Sequence, residues 1–158
     1  MRIEVRAARQ RDVPAMVRLI EQRRLDYERF EPVFWRRAPR AARRTALFYR
    51  LLLLRGSTTA LVASEEGGVT GFLIARRTRV PPVYDPGGTT VVVDDFAVAG
   101  AARWATTGEA LLARLRAVGR AAGWRQIVMV CGAADRAKSD LLPAADLHIA
   151  ATWWTTTL

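Results

Sequence analysis

The chain has 158 residues, a length typical of one domain. Hydrophobic residues make up 51% and charged residues 25% of it, which is the composition of a globular protein and excludes extensive disorder. The net charge is +10, but nearly all basic residues are arginines scattered through most segments, with Lys138 the sole lysine. We therefore expect a solvated basic surface and no nucleic-acid partner, although a positive field favours a polyanionic small molecule.

Other classes of protein are excluded by short features of the sequence. The longest apolar run, Leu51 to Leu54, is far shorter than a membrane span. The N-terminus MRIEVRAARQRD lacks the apolar core of a signal peptide. Cys131 is the single cysteine, which excludes an internal disulfide and a cysteine-based metal cluster. We predict one cytoplasmic domain over residues 1–158 with no bound metal and no membrane partner.

The first half of the chain predicts a strand, two helices and a hairpin. Asp12 and the following Pro14 are typical of a helix start, and Gly56 of a helix end. Alternating apolar residues around the turn EEGG predict the hairpin. The predicted elements are a strand at 3–6, a helix from 12, a helix at 41–54, and strands at 59–64 and 69–76.

The second half predicts a central strand followed by alternating helices and strands. The elements are a Pro/Gly loop at 80–88, strands at 89–99 and 126–131, helices at 107–122 and 134–145, and a last strand at 148–157. Trp153 and Trp154 are expected on opposite faces of that last strand, one of them in the core. The order β-α-α-β-β-β-α-β-α-β predicts an α/β fold with a mixed central sheet flanked by helices on both faces.

The segment DDFAVAGAARWATTGEALL, residues 94–112, joins the central strand to a helix. A helix start presents unpaired backbone amides and the positive end of the helix dipole, so this position suits a phosphate group. Arg103 adds a positive charge there. Thr106 and Glu109 also fit a capping box, in which each satisfies a free amide of the other. Both interpretations stand, and they are compatible.

The order of elements, the length and the segment VAGAARWATTGEALL resemble the GNAT superfamily of acetyl-CoA-dependent N-acetyltransferases. That family carries Arg/Gln-x-x-Gly-x-Gly/Ala between its fourth strand and third helix. Arg103 takes the first place and Gly108 the last, while Thr106 stands where the first glycine belongs. The likeness covers nearly the full chain: IEVRAARQRDVPAMVRLIEQ is similar to the family's first strand and helix, and EEGGVTGFLIARR to its second hairpin.

The resemblance implies acetyl-CoA as a co-substrate. By this likeness the main chain of Phe96 to Val98 pairs with the pantetheine arm as an added strand would, and amides from Arg103 to Glu109 hold the pyrophosphate. Thr106 crowds a turn where glycine permits close approach, so loop geometry and cofactor affinity depend on it. The implied cofactor-binding residues are Phe96, Ala97, Val98, Arg103, Trp104, Ala105, Thr106, Thr107, Gly108, Glu109 and Asp135.

Acetylation of an amine needs a base for the amine's proton and benefits from a proton donor for the departing thiolate. The resemblance makes Asp94 the first candidate base, as in polyamine-type members, and Asp95 the second; capping the strand end or pairing with an arginine is the alternative role. The family's usual acid is a tyrosine on the fourth helix. Aligning Asp135 with the customary asparagine puts Leu142 at that position, so the tyrosine is missing, and the substitutes are Ser139, Tyr84 or water.

Three other residues have a structural interpretation beside any functional one. Asp135 also fits a helix cap. Lys138 either reaches toward CoA phosphate or is simply solvated. Cys131 lies in the apolar run IVMVC and is expected in the core rather than as a nucleophile.

On the acceptor side, the resemblance implies that the first two helices and their loop form part of the substrate wall. Aromatic and acidic side chains there suit a cationic amine, and they suit helix packing equally well. The implied substrate-binding residues are Tyr27, Glu31, Phe34, Trp35 and, from the loop 80–88, Tyr84.

The sequence thus predicts an N-acetyltransferase that transfers acetyl from acetyl-CoA to an amine of a small molecule or peptide, by direct attack in a ternary complex. The alternative is a non-catalytic acyl-CoA-binding sensor on the same fold, which the missing tyrosine and Thr106 both favour. A third class, a nucleic-acid-binding protein, rests on charge alone. The sheet is either complete in a monomer or completed in a homodimer.

Overall fold

The computed structural model describes residues 2–158. Within them, five strands form one sheet and four helices pack on it. The strands are β1 (Glu4–Ala7), β2 (Thr58–Glu65), β3 (Gly68–Thr78), β4 (Thr90–Val98) and β5 (Gln126–Met129). The helices are α1 (Val13–Phe30), α2 (Ala41–Leu52), α3 (Glu109–Ala121) and α4 (Arg136–Ala144). None of these helices, within residues 2–158, combines the length and the hydrophobicity that a membrane crossing requires.

The strands lie in the order β1-β2-β3-β4-β5, so each pairs with the next one in the chain. The first four are antiparallel neighbours, while β5 runs parallel to β4. A parallel neighbour requires a crossover connection, and α3 supplies it. The predicted α/β fold with a mixed central sheet is therefore confirmed.

One face of the sheet is covered by α1 and α2. Val13, Met16 and Ile20 of α1 repeat at helical spacing and are buried. They pack with Tyr49 and Leu52 of α2 against side chains of β2, β3 and β4. Each fully buried large apolar side chain stabilises the fold by about 1.5–3 kcal/mol, so this layer holds both helices firmly.

The opposite face is covered by α3 and α4. Leu111, Leu112 and Leu115 of α3 and Leu141 of α4 are buried in one cluster with residues of β2, β3 and β4. The prediction of helices on both faces is confirmed. The central strands are consequently buried on both sides, which explains their continuous apolar sequence.

The start of α3 differs from the prediction. A 3₁₀ turn, Ala101–Arg103, and a π-helical turn, Trp104–Gly108, precede α3, and no side chain caps its first residue. The capping box of Thr106 and Glu109 is therefore wrong. Thr106 lies inside a helical turn, whereas a capping residue needs an extended backbone just before the helix.

Strand β5 is shorter and more exposed than predicted. It ends at Met129 rather than at residue 131, and its residues alternate between exposed and half-buried. Ile127 and Met129 face the α3–α4 layer, whereas Val128 points to the other, less covered face. The apolar run correctly indicated a strand, but burial on both faces requires covering layers that α1 and α2 do not extend over β5.

The predicted last strand, residues 148–157, does not form. Residues 148–158 have no regular secondary structure and are exposed, with Trp154 at 93%. The expected core tryptophan is wrong as well, because Trp153 instead lies edge-on to Phe34, with ring centroids 5.9 Å apart. Threonine and tryptophan favour strands only where a neighbouring strand pairs with them, and this segment has no such neighbour in residues 2–158.

Close packing between α3 and β3 gives a stability prediction. A Cβ at Gly71 would lie 2.6 Å from Cγ2 of Thr107 and 3.0 Å from Cδ1 of Leu111. Gly71→Ala should therefore lower the free energy of unfolding by about 1–3 kcal/mol in chemical denaturation. Gly56→Ala is the control, since a Cβ there meets nothing within 4 Å, and it should change stability by less than about 0.5 kcal/mol. Equal stability of both variants would contradict the contact.

Candidate functional site

The candidate site is a fork where β4 and β5 separate. β5 pairs with β4 only from Thr90 to Val93, and the last bond of this pairing runs from the Val130 amide to the Val93 carbonyl, at 3.2 Å. β4 continues to Val98 and pairs with β3 alone over those later residues. Within residues 2–158, one backbone edge of residues 95–98 thus has no strand beside it. Such an edge offers amide and carbonyl groups to an extended ligand.

A β-bulge lies at the point where the fork opens. Ile74 of β3 is opposite Asp95 and Ala75 is opposite Val93, which leaves Asp94 as the extra residue of β4. Simple alternation would put Phe96 on the face of Asp94. Because of the bulge, Phe96 instead shares the buried cluster of Val93.

The two neighbouring acids lie in different environments. Asp94 is 39% exposed, and its carboxylate accepts a hydrogen bond from the Arg76 guanidinium. Asp95 is partly buried on the side of α1 and α2. This burial raises the pKa of the Asp95 carboxyl, while the Tyr49 hydroxyl and the Arg24 guanidinium offset part of the rise. Asp95 therefore has a higher affinity for a proton than an exposed aspartate has.

The hydroxyl of Tyr49 is a buried polar group next to Asp95. It makes no hydrogen bond of regular geometry among residues 2–158, but it lies close enough to the Asp95 carboxylate for each group to affect the pKa of the other. Burial, followed by the Asp95 charge, raises the pKa of Tyr49. A buried hydroxyl left without a partner costs about 1–3 kcal/mol. Such a group indicates a place for a bound water or a ligand atom beside the Asp95 carboxylate.

The turn after β4 brings a helix start to the open edge of the fork. Gly100 reverses the chain direction with φ of 94°, a conformation that favours glycine. Ala101, Ala102, Ala105 and Thr106 are exposed in the turns that follow. The amides of Arg103 and Trp104 already bond the Gly100 and Ala101 carbonyls. The start of a helical segment nevertheless presents the positive end of its dipole, which attracts anions.

Other residues of the same segment serve packing. The Arg103 guanidinium bonds the buried Glu65 carboxylate at 2.6 Å, so its charge is already paired. Trp104 and Thr107 are buried. A Cβ at Gly108 would lie 2.8 Å from the Trp104 ring and 3.2 Å from Leu141, so glycine here lets the helix start approach α4. Close packing against Trp104 and Leu141 therefore explains why a glycine stands at position 108.

Asp135 joins α4 to α1. Its carboxylate caps α4 by accepting a bond from the Lys138 amide at 3.2 Å, as its position predicts. The other carboxylate oxygen accepts bonds from the Arg23 guanidinium and, at 2.9 Å, from the Tyr27 hydroxyl. Tyr27 in turn accepts a bond from the Gly132 amide at 2.9 Å. This buried network fixes the segment that follows β5.

Lys138 lies where neither of its two sequence-based interpretations put it. It is 1% exposed, so neither a solvated side chain nor a contact with an external phosphate describes it. Its ammonium donates to the Val130 carbonyl and lies 5.4 Å and 5.9 Å from the ring centroids of Phe96 and Trp104. Burial, followed by the Arg23 charge, lowers the pKa of Lys138 to about 7. Lys138 and Leu141 are three residues apart, so they lie on the same, buried face of α4. This helical spacing is the sequence signal that could have indicated the burial of Lys138.

The residues predicted for the acceptor wall fall into separate places. Tyr27 lies in the interior network rather than on a surface, with its ring 4.9 Å from that of Trp35. Phe34 is half-exposed and packs on Trp35 at 4.6 Å, while the Glu31 carboxylate accepts a bond from the Val33 amide at 2.8 Å. Tyr84 is 70% exposed in the loop before β4 and contacts none of these rings.

Cys131 lies beside the fork but has no features of a nucleophile. Its side chain is half-buried, and burial raises the pKa of its thiol. The neighbouring Lys138 charge opposes this rise without reversing it. A thiol with a raised pKa is mostly uncharged at neutral pH and therefore reacts slowly.

Comparison with known proteins finds likeness in structure and none in sequence. No protein-family model matches the chain, and no curated protein sequence matches it. A tetramutant of the BH1408 protein from Bacillus halodurans has a TM-score of 0.82 at 15% identity, covering 98% of this chain and 99% of that one. A predicted acetyltransferase with acetyl-CoA from Clostridium acetobutylicum has a TM-score of 0.74 at 13% identity, covering 99% and 96%.

A third solved structure is the aminoglycoside N-acetyltransferase AAC(6')-Iy in complex with a bisubstrate analogue, CoA-S-monomethyl-acetylneamine. It has a TM-score of 0.75 at 14% identity and covers 100% of this chain and 99% of its own. The fold of the chain is therefore that of the GNAT acetyltransferases, as its resemblance implied.

The buried Tyr27 network gives a second stability prediction. Tyr27→Phe removes the acceptor of the Gly132 amide and one donor to Asp135, so we expect the free energy of unfolding to fall by about 1–3 kcal/mol in urea. Tyr84→Phe is the control, because its hydroxyl is exposed, and it should leave stability within about 0.5 kcal/mol. If Tyr27→Phe proves as stable as Tyr84→Phe, the network does not hold α1 to the segment after β5.

Proposed function

We propose that the protein is an N-acetyltransferase that transfers the acetyl group of acetyl-CoA to an amine by direct attack in a ternary complex. The observation that carries the proposal is the fork, whose open β4 edge leads directly into a helix start. An extended polar arm ending in a pyrophosphate fits that combination of groups. Solved structures of the same fold include one with acetyl-CoA and one with a CoA bisubstrate analogue.

The cofactor is proposed to lie along the residues that the sequence implied. Main-chain groups of Phe96, Ala97 and Val98 pair with the pantetheine arm, and the pyrophosphate lies at the exposed residues Ala105 and Thr106 of the helical turn that follows. Since backbone groups carry this binding, a threonine at position 106 is compatible with it: its side chain points to solvent and not into the packing against α4. Arg103 contributes neither its guanidinium, which Glu65 holds, nor its amide, which bonds the Gly100 carbonyl at 3.2 Å.

Asp95 is proposed as the general base in preference to Asp94. Its burial raises its proton affinity, and it faces the side of the sheet that α1 and α2 cover. Asp94 already pairs with Arg76 and is exposed, which matches the alternative role foreseen for it. The neutral acceptor amine attacks the thioester carbonyl, and Asp95 takes the proton that the nitrogen loses as the C–N bond forms, directly or through a water at the Tyr49 hydroxyl.

Direct transfer is proposed rather than an acyl-enzyme. The single cysteine, Cys131, has a raised pKa and therefore lacks the activation that a covalent nucleophile needs. The non-catalytic sensor remains the competing function, since Leu142 of α4 packs against the core where the family tyrosine would stand. Separate measurements of cofactor binding and of turnover distinguish the two.

Acetyl-CoA should raise the melting temperature of the protein. Binding to the folded state alone stabilises it by about 2.7 kcal/mol at a concentration of 100 times Kd. Thr106→Glu should reduce the shift, because a carboxylate at the exposed helix start repels the pyrophosphate. Ala117→Glu makes the same charge change at an exposed site further along α3 and should keep the full shift. An unchanged melting temperature at saturating acetyl-CoA would contradict the assignment of acetyl-CoA as the cofactor.

Replacing each of the two acids by asparagine tests which of them is the general base. Asp95→Asn should lower kcat for acetylation of an amine by about 10²–10⁴-fold, measured as release of the free CoA thiol. The shift of melting temperature with acetyl-CoA should persist in this variant, since the cofactor is held elsewhere. Asp94→Asn is the matched control and should retain activity within a few-fold. The opposite pattern would assign the base to Asp94, and tight binding without turnover of any amine in a broad panel would support the sensor.

A further inference from the structure

The proposed reaction requires a proton donor that the fold does not supply at its usual position. When the C–S bond of the thioester breaks, the sulfur leaves as a thiolate and needs a proton. Leu142 stands at the family tyrosine position and offers none. Of the two side chains named as substitutes, Ser139 already donates its hydroxyl to the Arg136 carbonyl, and Tyr84 is exposed in the loop before β4.

The buried ammonium of Lys138 lies inside the fork itself. Its partner, the Val130 carbonyl, belongs to the residue that makes the last bond between β5 and β4. The ammonium also lies near the ring of Phe96. Phe96 is the first residue of the β4 edge that is proposed to pair with pantetheine. Lys138 is thus placed at the inner end of the proposed cofactor path, where the arm ends in its thioester.

We propose that Lys138 is the proton donor for the departing CoA thiolate, on the evidence of its buried ammonium at the point where β4 and β5 separate. This inference rests on the proposed acetyl transfer. One N–H of the ammonium is used by the Val130 carbonyl, and among residues 2–158 no other acceptor lies at hydrogen-bonding distance. The remaining N–H groups are available to the sulfur.

The step balances as an ordinary acyl transfer. The neutral amine attacks the thioester carbon, the C–N bond forms, and the C–S bond breaks with its electron pair going to sulfur. Asp95 takes the proton of the amide nitrogen, and Lys138 gives a proton to the thiolate, which yields free CoA. Asp95 then releases its proton to solvent and Lys138 takes one up, which restores both groups.

The electrostatic surroundings of Lys138 suit a proton donor. A lysine with an ordinary pKa near 10.4 would hold its proton more tightly than a thiol of pKa near 8.5. Burial lowers the pKa of Lys138 to about 7, so transfer to the thiolate is downhill. The charged and titratable groups facing it are Arg23 from α1, Asp95 from β4, Cys131 after β5 and Asp135 at the start of α4.

The sign of the pH dependence follows from the required protonation states. Lys138 must carry its proton to donate it, so kcat should fall as the pH rises through about 7, the pKa of Lys138. Lys138→Met should lower kcat by about 100-fold with little change in the KM for acetyl-CoA, and the alkaline fall should disappear. Arg136→Met removes an exposed cation from the same helix and should retain both kcat and the alkaline fall.

Lys138→Arg separates proton donation from the mere presence of a positive charge. Arginine keeps the charge but does not release a proton at these pH values, so kcat should remain as low as in Lys138→Met. Recovery of wild-type kcat in Lys138→Arg would overturn proton donation. So would a kcat of Lys138→Met within three-fold of wild type with the alkaline fall retained.

A measurement without turnover uses the fact that Lys138 is the only lysine of the chain. Protein labelled with ¹⁵N-lysine should give one side-chain amine signal, whose titration should have a midpoint near the pKa of about 7. Addition of CoA should shift this signal in wild type and in Asp95→Asn. A signal that titrates near 10, or that CoA leaves unchanged while it raises the melting temperature, overturns the proposal for Lys138 alone. Absence of both CoA binding and turnover in the wild type overturns the proposed function and, with it, the role of Lys138.

Discussion

The buried contact between α1 and the segment after β5 is the constraint on which the site depends. Arg23 and Tyr27 of α1 bind the carboxylate of Asp135, and Tyr27 also receives the Gly132 amide. These bonds hold residues 131–135 to α1, and β4 has no strand beside one edge of residues 95–98 in the part of the chain that the structure describes. Removing one partner of a buried ion pair typically costs about 3–5 kcal/mol, which makes this separation a robust feature of the fold.

The same separation produces two protein surfaces with different chemistry on either side of β4. On one side, Asp95 lies beside Tyr49 of α2, and burial favours the uncharged forms of both side chains. On the other, Lys138 lies among the Phe96 and Trp104 rings, where burial favours the uncharged amine. An acid and an amine whose pKa values are both moved toward neutrality are an arrangement typical of active sites. The bulge at Asp94 sets which acid faces which side.

Local sequence patterns predicted those parts of the site that depend on the backbone. The β-branched run and the small-residue turn indicated a central strand entering a helix, and the structure has β4 followed by the turns that lead into α3. The same patterns failed for side chains whose surroundings come from distant segments. Lys138 was expected either at a CoA phosphate or in solvent, because a single charged residue on a short helix gives no sign of what packs against it. The capping box of Thr106 and Glu109 failed because the helix had already begun.

By itself, the sequence determined the alternation of elements, the two apolar helix layers and the location of the strand–helix junction, because these follow from periodicity and turn residues over short stretches. The tertiary structure decided where β4 and β5 part, which of Asp94 and Asp95 is buried, and that Lys138 faces the fork. Each of these results from contacts between residues far apart in the chain, such as Arg23 with Asp135 and Ile74 with Asp95. The segment 148–158 makes the same point, since its strand-forming residues have no neighbouring strand to pair with in the part of the chain that the structure describes.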